Sequence, residues 1–262
     1  MKKCIPFILS LLILLPGCKG NTSSSTNESS NKISSSEISS SSISIDDDNY
    51  ILPINEITKE EALNIFNSID EKINEYLKEI KENKKSFYGI YEVENFRGET
   101  LRDSKIECSV DFENNEALYL TQVDDYKSGT YIIYDDVELD CKLYSLSEKI
   151  YYERKEDDKA TSLWNSNVET TIAMYETILV SYHEIETYLD NSKFYSSKEG
   201  ELYIVYEDEK DSYNYYFNNY LPKELKKSIY NDSLGRNLES RSFISNNPNT
   251  TIDNLDEFIQ EE

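Results

Sequence analysis

Any chemistry done by this chain has to begin with few reactive groups. His183 is its only histidine, set in His183-Glu184-Ile185-Glu186-Thr187. A helical zinc site of the H-E-x-x-H kind needs a second imidazole at the fifth place, where Thr187 stands instead. Glu186 shares a helical face with His183, and the pair reads as a surface contact in preference to an acid–base couple. Ser29 and Lys32 have S-x-x-K spacing but lie in a hydroxyl-rich run that holds no fixed geometry. No G-x-S-x-G elbow occurs, and the seven glycines form no loop able to cradle phosphate. Asp46-Asp47-Asp48 lacks the alternate spacing of a calcium loop and reads as a solvated segment. Paired carboxylates could hydrolyse a glycoside, but 51 acids offer no basis for choosing two. Trp164 could stack on a sugar and is read here as a packing anchor. These residues therefore assign no catalytic group, no metal and no cofactor, and the chain is read as a non-enzyme.

One cysteine has a different chemistry. Lys2 and Lys3 precede an apolar run, Ile5–Leu15, which is too short for a bilayer core requiring about 20 helical residues. Then comes Leu15-Pro16-Gly17-Cys18, which resembles the lipobox of bacterial lipoproteins. That resemblance implies cleavage after Gly17, diacylglycerol on the Cys18 thiol, and a protein held on the outer face of the bacterial plasma membrane. Residues 1–17 are thus expected to be a signal peptide, and 18–49 a lipidated linker. From Asn21 to Ile45, fifteen of twenty-five residues are Ser or Thr. Such a run buries too little apolar surface to offset its ordering entropy. As a coil it reaches about 25–30 Å.

Charge bounds the partners. Against 51 acids stand 27 Lys and Arg, a formal net charge of -24. Nucleic acid needs the opposite sign to neutralise phosphate, so it is excluded as a partner. An anionic lipid surface likewise offers no attraction, leaving the covalent lipid at Cys18 as the link to the membrane.

The elements that would position any site lie in 50–262, read as a single α+β domain. Thr58-Lys59-Glu60-Glu61 has capping-box form, and Ala62, Phe66, Ile69, Ile73, Tyr76 and Ile80 recur with helical period to about Asn83. Ser166-Asn167-Val168-Glu169 offers a second capping box, followed by the stripe Val168, Ile172, Tyr175, Leu179, Tyr182 and Leu189. Period-two alternation, clearest at Ile106, Cys108, Val110 and Phe112, predicts about ten strands with short links, hence an antiparallel meander. The polar tail from Asn246 is expected to run over the surface. In such a meander two strands separate Cys108 from Cys141, about 14 Å at ~4.8 Å per strand. A disulfide spans at most about 7 Å between Cα atoms, so both are expected unpaired.

The order helix, strands, helix, strands resembles the LolA-like and LppX-like half-barrel, a curved antiparallel sheet packed on two long helices. The resemblance rests on element order over Thr58–Ile244 and implies the handling of lipid or acylated protein. Several strands are apolar on both faces, such as Tyr131 to Tyr134 and Leu202 to Tyr206. Helices cover one face only; the other must meet a second layer, curl on itself, or hold an apolar ligand. Tyr119, Tyr131, Ile133, Tyr203 and Tyr215 are the candidates for lining such a cavity. Two functions stay open: a binding module for a lipid-like or apolar ligand, and a surface protein contacting another protein or the cell wall.

Overall fold

A computed structural model describes residues 55–97, 100–155, 158–252 and 254–261. The lipobox with Cys18, the hydroxyl-rich linker, Ser29 with Lys32, and the triple aspartate all lie outside the described residues.

Thr58 caps the first helix as its sequence predicts. Its backbone N–H donates to Glu61 Oε2 at 2.8 Å, and the Glu61 N–H donates to Thr58 Oγ1 at 3.3 Å. The predicted single helix is in fact two, α1 (Lys59–Phe66) and α2 (Ile69–Asn83). At the break the Ser68 hydroxyl donates to the Asn64 carbonyl, a back-bond that competes with helix continuation. Lys84 then adopts a left-handed conformation (φ 49°) and stops α2.

Twelve strands follow, two more than the alternation predicted. They are β1 (Phe87–Arg97), β2 (Thr100–Asp111), β3 (Glu116–Val123), β4 (Tyr126–Asp135), β5 (Asp140–Ser145) and β6 (Ile150–Arg154), then β7 (Lys193–Tyr195), β8 (Leu202–Glu207), β9 (Ser212–Asn218), β10 (Leu221–Asn231), β11 (Arg236–Ser245) and β12 (Ile259–Gln260). They form one sheet in the order β12-β6-β5-β4-β3-β2-β1-β11-β10-β9-β8-β7. Two antiparallel meanders, β1–β6 and β7–β11, are therefore joined through the antiparallel pair β1–β11. The sheet is mixed and not purely antiparallel, because β12 runs parallel to β6. It is open, not closed into a barrel. The tail, read as an irregular surface segment, supplies that extra edge strand.

The crossover from β6 to β7 spans the sheet. It is α3 (Asp158–Leu179) continuing as a 3-10 helix, Val180–Asn191. Helix α3 starts well before the predicted capping box, which lies inside it. There Thr170 and Thr171 donate their hydroxyls to the carbonyls four residues back, so residues that usually end helices are absorbed by one. In the 3-10 part, side chains three apart eclipse. Leu179, Tyr182 and Ile185 accordingly align and are all buried.

Helices α1, α2 and α3 and the 3-10 helix Val180–Asn191 pack on one face. Phe66, Ile73, Ile80, Trp164, Ile172, Tyr175 and Ile185 meet Phe87, Val110, Ile132, Ile204, Phe217 and Ile244 in one continuous core. Trp164 is a packing anchor, stacked on Tyr134 with centroids 5.7 Å apart and edge-on to Phe112. Cys108 and Cys141 are buried in the same core and unpaired, on β2 and β5 with β3 and β4 between them.

Candidate functional site

The opposite face answers the question posed by strands apolar on both sides. Over β3, β4 and β5 it carries a second cluster of Leu118, Leu120, Tyr131, Tyr144 and Leu146, all buried. What buries it is the chain's own tail: Ile252, Leu255 and Phe258 pack on it with Ile133 and Tyr151. Phe258 meets Tyr144 edge-on at 5.4 Å. The tail reaches this place by hydrogen bonds at its start, the Asn249 N–H to Ser109 Oγ at 2.8 Å and the Thr250 hydroxyl to Glu116. At its end β12 pairs only with Ile150 and Tyr151 of β6, and Lys149 Nζ lies 2.6 Å from Glu257.

The five residues proposed to line a cavity are divided by the register. Tyr119 and Tyr215 face the helices, Tyr215 fully within the core and Tyr119 packed against it. Tyr131 and Ile133 face away from the helices, under the tail. Tyr203 also faces away, since its neighbours in sequence, Leu202 and Ile204, point into the core. It stands in the other meander, opposite Tyr216 on β9, and its ring lies 6.3 Å from that of Tyr195. The five do not converge on one pocket. Burial pushes the phenol pKa of Tyr119, Tyr131, Tyr203 and Tyr215 upward in each case.

A cleft of about 10 Å³ has room for about one water. Tyr91, Ser181, Glu184, Lys227, Ser240 and Ser242 line it, between the 3-10 helix and the sheet. Lys227 points inward between the core-facing Leu225 and Ile229, and its ammonium pairs with Glu184 of the 3-10 helix. Ser181 and Ser242 hydroxyls are 3.4 Å apart. Burial raises the Tyr91 phenol pKa, and the nearby Lys227 charge partly offsets this. The ion pair engages the two charged groups of the cleft with each other. The signal for it was in the strand alternation, where a lysine takes an inward place in Leu225-Lys226-Lys227-Ser228-Ile229. An inward charge must find a partner.

His183 is a surface residue, as its spacing suggested. Its Nδ1 lies 2.5 Å from Glu186 Oε1 and its Nε2 3.2 Å from Asp70 Oδ1. The ring stacks on Tyr182, whose hydroxyl donates to the same Asp70 oxygen at 2.6 Å. Both imidazole nitrogens are thus engaged by carboxylates, and the group ties the 3-10 helix to α2. Among the described residues no cluster of His, Cys, Asp and Glu is placed to hold a metal ion, and no helix is long and apolar enough to cross a membrane.

The chain matches no family model, and no curated protein matches it.

Proposed function

We propose that this chain is a membrane-anchored, extracytoplasmic lipoprotein whose domain binds a macromolecular partner through its surface. Its work is recognition and not catalysis. The observation that carries the reading is the filled interior. The space between helices and sheet is packed with side chains such as Tyr175, Tyr182, Phe87 and Phe217, each under 2% exposed. An acyl chain needs a cavity of hundreds of Å³, whereas the cleft beside Lys227 measures about 10 Å³. The anchor is supported by the lipobox resemblance at Cys18.

A second reading, the half-barrel carrier of an apolar ligand, is favoured by one specific feature. The cluster around Leu118, Tyr131 and Tyr144 is apolar, lies outside the helix-facing core, and is covered only by the tail. The two readings differ in solution. Contacts made by a strongly acidic surface weaken as salt screens them, while burial of an uncharged chain survives high salt. The expected result for the purified chain is no co-extracted lipid and no displacement of a fluorescent fatty-acid probe at micromolar protein. An apolar molecule recovered in stoichiometric amount would overturn the surface reading in favour of the carrier.

A further inference from the structure

We propose that the C-terminal segment, residues 249–261, occupies a peptide-binding surface in cis, and that this surface receives an extended peptide of a partner protein with the same chemistry. That chemistry is an apolar side chain at every third residue with carboxylates between. The inference deepens the reading of the domain as a surface-acting binding module and rests on it.

The light hold on the cover motivates the proposal. With the tail in place the five patch residues are at most 9% exposed, so the tail reaches all of them. The cover is slight. Ile252, Leu255 and Phe258 are only part buried, and the strand β12 that ends it is two residues long, with Ile259 72% exposed. Its ion pair, Lys149–Glu257, is exposed on both sides, and such pairs contribute little to holding a segment in place. One opposite-charge contact joins seat and cover. Lys149 stands at the rim toward Glu257, and Lys142 lies on the same face, 3.3 Å from Glu153. Finally, β12 pairs with two of the five residues of β6. Glu261 continues along the same edge, its N–H donating to the Tyr151 carbonyl at 2.9 Å, so the cover is held there by main-chain bonds of the kind an added peptide strand would make.

The test uses the full chain carrying Leu255→Asp and Phe258→Asp, whose own tail cannot seat, and a labelled synthetic peptide of residues 249–261. In the unaltered chain the tail competes in cis at high effective concentration. The altered chain should therefore bind the peptide at least about tenfold more tightly than the unaltered one. A peptide bearing the same two aspartates should not bind. An altered chain that melts cooperatively yet binds no peptide, or binds a fatty-acid probe in its place, overturns the proposal. If the altered chain fails to fold, hydrogen exchange in the unaltered chain decides. Tail amides exchanging ahead of those of β3 and β4 support a releasable cover, while tail exchange only through global unfolding makes it a fixed wall and overturns the idea. Failure here leaves the module with another binding face, because the fatty-acid and lipid-extraction results bear on that broader reading independently.

Discussion

Tyr175 is the residue on which the core turns. Its ring is fully buried, stacked on Phe87 at 4.3 Å, and its hydroxyl makes no well-formed hydrogen bond, the Tyr76 hydroxyl being its polar neighbour. Leaving such a group unsatisfied costs about 1–3 kcal/mol. Tyr175→Phe should therefore match or exceed the parent stability by up to about 1 kcal/mol in urea titration; a loss of that size would mean the hydroxyl has a partner. The ring sits where it does because residue 89 has no side chain. A Cβ there would lie 2.6 Å from Tyr175 Cδ2. With Phe87 and Tyr76 beside it the ring has nowhere to retreat, so Gly89→Ala should cost about 1–3 kcal/mol in the same titration. The need for glycine at 89 could not be seen in the sequence, because it arises from a helix residue 86 positions away. The burial of Tyr175 could be seen, since it lies on the periodic stripe Val168, Ile172, Tyr175 and Leu179.

Elements were legible where a period repeats and illegible where one contact decides. Alternation located the long strands, and the Thr58 box located the start of α1. Ser166 to Thr171 misled because small hydroxyl residues favour helix ends on their own, and only packing of Trp164 and Ala160 on the sheet draws the helix back to Asp158. The tail misled for the opposite reason: three apolar residues among acids look like a solvated segment until the patch they cover is known. The turn before β8 was equally silent, and it makes a prediction. The buried Glu201 carboxylate is opposed by desolvation, but it accepts from the Ser197 N–H at 3.0 Å, from the Ser197 hydroxyl, and from Tyr216 Oη at 3.2 Å. These donors outweigh burial and hold its pKa below the ordinary glutamate range. A depressed carboxylate contributes stability that is complete above its unfolded pKa, about 4.3, and is lost as pH falls through the folded value. Glu201→Gln should thus melt below the parent at pH 7, with the gap narrowing below about pH 4.5. Melting curves from pH 3 to 7 measure this, and a gap that widens on acidification would refute it.

At the scale of the whole molecule, short segments of the chain lie along both edges of the open sheet. Residues Asn55–Ile57 run beside β7 at one edge, with the Ile57 N–H donating to the Phe194 carbonyl at 2.9 Å, and β12 lies along β6 at the other. Covered edges do not recruit further strands at random. On the proposed anchoring, a net charge of -24 would be repelled by an anionic membrane surface. The proposed retention at a membrane would then rest on covalent lipid alone, and a single acyl chain holds only marginally while two hold stably. The expectation is specific. In membrane fractions, the unaltered chain should stay bound through washing with 1 M salt, where the Debye length is about 3 Å and electrostatic attachment fails. Cys18→Ser should appear in the soluble fraction or as unprocessed precursor, and should incorporate no fatty-acid label. Labelling of the Cys18→Ser chain, or release of the unaltered one by salt, would show that something other than a lipid on this cysteine holds the protein in place.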